Sequence, residues 1–196
     1  GGEELQPLRI QFKDFCQWQN HQLGSGKLKE HEEYWLEQFV GDLPVLNMYC
    51  DFPRPKVQSF EGDTIHFGIG EDLTHRIKKL AEHTDTTLFM VLFAVYNVVL
   101  SKYSRQEDII VGATTAGRDH ADLENMIGLM IKTLALRNYP GMDKTFAGFL
   151  QEIKTNTLGA FDNQAYPFRE LIRQVADETD LSRNPLFDAM LILQDM

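Results

Sequence analysis

A chain of 196 residues is long enough for one large domain or two small ones, and its 43% hydrophobic content is that of a globular protein, not a disordered one. A formal charge of −10, from 19 basic and 29 acidic residues, opposes binding to nucleic acid or to an anionic membrane surface, both of which need a basic face. Cys16 and Cys50 make no metal or disulfide framework and no signal peptide or transmembrane run is evident, so the expected setting is two reduced thiols in the cytoplasm.

Gly1-Gly2-Glu3-Glu4 is a polar start with no cap or strand signal, as expected of a cut inside a longer chain. Leu8–Leu23 carries Phe12, Phe15, Cys16 and Trp18 at helical spacing, and Gly24-Ser25-Gly26 ends that helix. Lys27–Val40 is a second amphipathic helix, with Leu28, His31, Tyr34, Trp35 and Phe39 near one stripe and Gly41 as C-terminal cap. Pro44, Pro53 and Pro55 exclude a regular helix over residues 41–62, which read as an extended surface connector. Thr64–Ile69 alternates Ile65, Phe67 and Ile69 against Thr64, His66 and Gly68, the pattern of a half-buried strand. Asp72–His83 is a helix with Leu73, Ile77, Leu80 and Ala81 inward.

Leu88–Leu100 is apolar at every position but Asn97. Such a run predicts a helix buried on most of its surface, too short to span a bilayer, with Thr86 as its N-cap. Ile109, Ile110 and Val111 form a β-branched run, as in a strand covered on both faces. Gly112 and Gly117 mark turns or close approaches in the small-residue loop that carries Arg118. A short turn at Leu123–Ile127 precedes a strand over Gly128–Arg137, ended by Tyr139-Pro140-Gly141. Thr145–Phe161 is a helix with Phe146, Phe149, Leu150, Ile153, Leu158 and Phe161 inward. After the loop Asn163–Tyr166, Pro167 fits the first turn of a helix striped by Phe168, Leu171, Ile172 and Val175. A polar loop, Asp177–Asn184, leads to a final strand, Phe187–Gln194, with no closing element and therefore an open edge. Strands alternating with helices indicate a mixed α/β layer fold.

Catalytic signatures are missing: there is no Walker loop, G-x-G-x-x-G, G-x-S-x-G or H-E-x-x-H. The six histidines are scattered with no i, i+4 pair, which argues against a metal. Asp14, Asp162 and Asp180 read as caps before they read as acids or bases. Arg118, at a strand end, binds either a carboxylate of the chain or a ligand phosphate, the internal salt bridge being preferred. The residues alone give a soluble α/β domain and no reaction.

Four segments in order add a resemblance. Phe12-Lys13-Asp14-Phe15-Cys16-Gln17-Trp18-Gln19 resembles the "YxDFAxWQ" motif of nonribosomal peptide synthetase condensation domains. Met126–Arg137 resembles their "IGxFVNTxxxR", and Asn163–Glu170 resembles "HQDYPFE". Ser182-Arg183-Asn184-Pro185-Leu186-Phe187 matches "SRNPLF" in full, and Val111-Gly112 with Ala116-Gly117-Arg118 resembles the strand end "VGxxxAGR". The resemblance implies two chloramphenicol-acetyltransferase-like lobes with a tunnel between them, where an acceptor amine attacks a donor thioester. Both substrates arrive on phosphopantetheine arms of carrier proteins, and no cofactor is bound directly. The central "HHxxxDG" motif of the N-terminal lobe does not occur in this sequence.

The chain is therefore expected to be most of a C-terminal lobe: a helical segment at the lobe junction (1–40), the Pro-rich connector (41–62) and an incomplete lobe (63–196). Its implied partners are the N-terminal lobe of the same domain, donor and acceptor peptidyl carrier domains and an adjacent adenylation domain. Implied tunnel-lining candidates are Gly112, Arg118, Lys132, Gln164, Tyr166 and Ser182. Lys132 stands where the motif has Asn, Met130-Ile131 where it has Phe-Val, Asn163 for His and Ala165 for Asp. Strand alternation groups Leu129, Ile131, Thr133 and Ala135 on one face and Met130, Lys132, Leu134 and Leu136 on the other. Lys132 is then expected to point into the cleft that faces the other lobe, the alternative being a sheet edge over outside solvent. Competing functions are a non-catalytic carrier-recognition or scaffold module of the same ancestry and, behind it, a coenzyme A-dependent acyltransferase.

Overall fold

In a computed structural model, which describes residues 7–176 and 180–194, the strand β1 (Ile109–Thr115) organises the chain. Its β-branched start and small residues let Ile109–Ala113 be buried on both faces. On one edge β1 pairs antiparallel with β2 (Lys132–Asn138), from Ile109 opposite Asn138 to Thr115 opposite Lys132. On the other edge Gly112 donates its N–H to the Ala189 carbonyl and accepts from the Leu191 N–H, both at 2.9 Å, in an isolated parallel bridge to Met190. The Phe187 ring fills the space over Gly112, where a Cβ would lie 2.6 Å from a ring carbon. The strand expected over Phe187–Gln194 is thus reduced to this bridge. Past Leu191 the side chains of Ile192 and Leu193 lie 51% and 44% exposed, with no face to bury them.

Helices cover the sheet: α4 (Leu88–Ser104) packs on β1, while α6 (Phe146–Asp162) and α7 (Phe168–Val175) pack on β2. The N-cap of α4 is Thr87, whose hydroxyl accepts from the Met90 N–H at 3.2 Å. Thr86, the expected cap, is occupied elsewhere: its N–H donates to the Ala81 carbonyl and its hydroxyl pairs with that of Thr84. Burial of α4 is incomplete, because Val95, Val99 and Tyr103 form an exposed stripe one turn apart. Its single polar residue, Asn97, is fully buried and donates to the Phe93 carbonyl one turn back. Thr145 caps α6 by accepting from the Gly148 N–H. Phe149, Leu150, Ile153, Thr157 and Ala160 bury its inner face, whereas Phe146 and Leu158, expected inward, fall beside that stripe and are exposed.

Two further expectations are corrected. Thr64–Ile69 is not a strand: Ile65 and Phe67 are 87% and 86% exposed, because no described strand edge lies alongside to pair with it. The extended connector consequently runs on to α3 (Glu71–His83). Likewise the second strand begins at Lys132, not Gly128. Gly128 lies against the Phe12 ring of α1 (Phe12–Gly24), and Met130 joins Phe15, Leu123 and Met126 in a small separate core. That packing draws 128–131 onto α1 and the single turn α5 (Ala121–Glu124), away from β1.

The helix α2 (Lys29–Gln38) and the start of the connector are tied to the sheet through Arg137. Its guanidinium forks onto Asp108 (3.0 and 2.7 Å) and donates to the carbonyls of Val40 (3.0 Å) and Asp42 (2.9 Å). Farther along, the Gln58 N–H bonds the Leu181 carbonyl, and Arg54 pairs with Asp188. Among the described residues no single helix is long and apolar enough to cross a membrane. Gly1–Glu4 and the first residues of the expected loop 177–184 lie outside the described residues.

Candidate functional site

The C-terminal end of β1 opens into a cleft of about 340 Å³ whose walls include Thr115, Ala116, Gly117, Arg118, Asp119 and Gln164. Gly117 makes the turn possible: it holds φ +63° and abuts the Met130 carbonyl, so a side chain there would be strained and blocked. The turn sends Arg118 inward to donate to the carbonyls of Leu123 and Glu124 at the end of α5. Among the described residues Arg118 meets no carboxylate, the partner expected first; it serves as a C-terminal helix cap.

Lys132 faces Thr115 across the ladder. Its side chain is 16% exposed, runs beside Gly117 and ends 3.3 Å from the Asp119 carboxylate. It therefore borders the loop that follows β1, and its charge is paired. Gln164 enters from the loop after α6, where its Oε1 accepts from the Thr115 hydroxyl at 2.7 Å. Residues of α2 fix that loop: Trp35 donates its indole N–H to the Asn163 carbonyl (2.9 Å), and His31 Nδ1 lies 2.8 Å from Asn163 Oδ1. Close packing of α2 on α6 requires Gly159, where a Cβ would meet the Tyr34 hydroxyl at 2.7 Å.

Arg118 and Gln164 thus line one cleft, Lys132 reaches its wall through Asp119, and the other three candidates stand apart. Gly112 lies farther up β1 under the Phe187 ring. Tyr166 is buried between α2 and α7, donating to Glu32 (3.0 Å) and accepting from Gln174 (2.6 Å). Burial, reinforced by the Glu32 carboxylate, pushes its phenol up to about 12. Ser182 is on the connector side, with its carbonyl 3.3 Å from the Arg54 guanidinium and its N–H on Asp180. Sequence reasoning missed Thr115 and Asp119. Both had a signal: Thr115 follows Val111 and Ala113 at strand spacing, and Asp119 is next to Arg118. A second, more apolar cavity of about 320 Å³, with Trp18, Phe15 and Leu123 in its wall, shares Asp119 with the cleft. Among the described residues no group of three or more His, Cys, Asp or Glu is placed to hold a metal ion.

A family model described as the condensation domain matches residues 1–196. Tyrocidine synthase 3 of Brevibacillus parabrevis is 56% identical over 195 residues, which are 100% of this chain and 3% of that protein. Bacitracin synthase 3 of Bacillus licheniformis is 47% identical over 196 residues, again 100% of this chain and 3% of the relative. The chain therefore spans only a few per cent of the length of these curated relatives. Among solved structures, the X-domain from teicoplanin biosynthesis superposes with a TM-score of 0.87 at 22% identity, covering 95% of this chain and 43% of that one. A four-domain nonribosomal peptide synthetase bound to AMP and glycine superposes at 0.82 with 24% identity, over 85% of this chain and 13% of its own. The fold is the expected chloramphenicol-acetyltransferase-like one, helices packed with a small antiparallel sheet.

Proposed function

The chain belongs to the condensation-domain family, and from that premise we propose that it forms one wall of the substrate path in a nonribosomal peptide synthetase condensation domain. The domain joins two carrier-bound aminoacyl or peptidyl thioesters. The acceptor amine attacks the donor thioester carbonyl, a C–N bond forms, the C–S bond breaks, and the donor arm leaves as a thiol while the amine loses a proton.

One observation carries this reading. Ala116–Asp119 and Gln164 after α6, far apart in sequence, meet at one cleft, and Lys132 at the start of β2 pairs with Asp119 of its wall. They are the same segments that resemble family motifs. The family resemblance implies that the histidine of "HHxxxDG", a motif that does not occur in this sequence, stands in the N-terminal lobe, which we assign as the other wall. Donor and acceptor carrier domains deliver the phosphopantetheine arms, and an adenylation domain loads them. The cytoplasm is the compartment this chemistry fits.

The test uses the intact domain with two loaded carrier proteins, reading dipeptidyl thioester by mass spectrometry. Product is expected from the intact domain, and none above the buffer rate from the 196-residue chain alone, because positioned groups in the other lobe are needed. Turnover by the chain alone would refute the assignment of the catalytic histidine. An intact domain that binds carriers and makes no peptide would identify a recognition module instead.

A further inference from the structure

We propose that Thr115 is a positioning residue, which orients the Gln164 carboxamide so that its Nε2 group donates to an amide carbonyl of the substrate arm in the cleft. This rests on the reading of the cleft as the substrate path. A glutamine amide presents an acceptor at one end and two donors at the other. The Thr115 hydroxyl takes the acceptor end, donating to Gln164 Oε1 at 2.7 Å. Among the described residues Nε2 has no hydrogen-bond partner, and Gln164 lines the cleft. The hydroxyl therefore turns a reversible amide into a fixed donor.

The charges around it define what the donor meets. One nitrogen of Arg118, Nη1, donates to the carbonyls of Leu123 and Glu124, and the Lys132 ammonium pairs with Asp119. Ala116 and Phe161 supply apolar wall. An oriented N–H donor beside this apolar wall suits an uncharged amide, whose carbonyl is a strong acceptor.

The test is acceptor kinetics in the intact condensation domain, with an aminoacyl-pantetheine thioester as the probe. Thr115→Val keeps the β-branched shape in the strand and removes the donor. It is expected to raise KM about fivefold to tenfold with little change in kcat, the loss of one neutral hydrogen bond made equally in ground and transition states. Thr115→Ser is expected to restore KM. Gln164→Met should match Thr115→Val, and the double variant should be no worse than Gln164→Met, because threonine acts only through the glutamine. A Thr115→Val KM equal to wild type, or additive effects in the double variant, would overturn the proposal while leaving the condensation activity standing. No peptide formation by the wild-type domain would instead remove the reading of the cleft on which it rests.

Discussion

Replacing Arg137 by methionine tests how the helical segment is held to the sheet. The arginine side chain is 7% exposed and its partner Asp108 33%. Two charge-assisted bonds to Asp108 and two short bonds to the Val40 and Asp42 carbonyls disappear together. Breaking a buried pair by removing one partner typically costs 3–5 kcal/mol, and a carboxylate one-third exposed recovers some hydration, so the lower end, about 3 kcal/mol, is expected. With a urea slope of about 2–3 kcal/mol per molar, the unfolding midpoint falls by about 1–1.5 M. Asp108→Asn should cost less, about 1–2 kcal/mol, since the guanidinium keeps its carbonyl partners. Hydrogen exchange should locate the damage, with amides of 38–47 losing protection before those of β1. An Arg137→Met protein within about 1 kcal/mol of wild type would refute the reasoning, because it would mean the buried ion pair barely exceeds its own desolvation cost.

Gly112→Ala drives a methyl into the Phe187 ring and should destabilise by about 1–3 kcal/mol, measured as a lowered Tm, with Phe187→Leu relieving part of it. Tyr34 and Tyr166 ionise near 12 in the folded protein, each chiefly through burial, against about 10 when unfolded. Between those values the folded state binds more protons, so stability is full below pH 10 and falls as pH rises towards 12. Absorbance titration at 295 nm should show Tyr34 and Tyr166 among the late tyrosines, and Tyr166→Phe should flatten the alkaline loss of stability. Lys132→Asn in the intact domain should fold normally while shifting turnover or substrate preference; unchanged kinetics would make the lysine a spectator of the cleft it borders.

Much of this architecture was legible because local pattern and tertiary role coincide. The run Leu88–Leu100 and the β-branched Ile109–Val111 are core by composition, and both became core. Alternation at Thr64–Ile69 was equally clear, but alternation states which face is apolar, not which strand lies beside it. Arg118 failed differently. Its charge suggested a charged partner, whereas the backbone turn at Gly117 put two helix-end carbonyls nearer. Tyr166 sat in a motif segment two residues from Gln164, yet one side chain points into the core and the other into the cleft. Segment resemblance cannot resolve that difference.

The bridge between Gly112 and Met190 also bears on how the chain is made. About 80 residues separate the two, while β2 follows β1 within a couple of dozen. On a ribosome adding roughly 5–20 residues per second, the β1–β2 hairpin emerges early, and the far side of β1 waits on the order of ten seconds for its second neighbour. During that interval a strand buried at five of its seven positions presents bare amides and carbonyls along one flank. Synthesis speed between α6 and Leu191 thus governs how long the nascent chain can be captured by a stray strand, and a slow codon cluster there should lower soluble yield without altering a single contact of the finished fold.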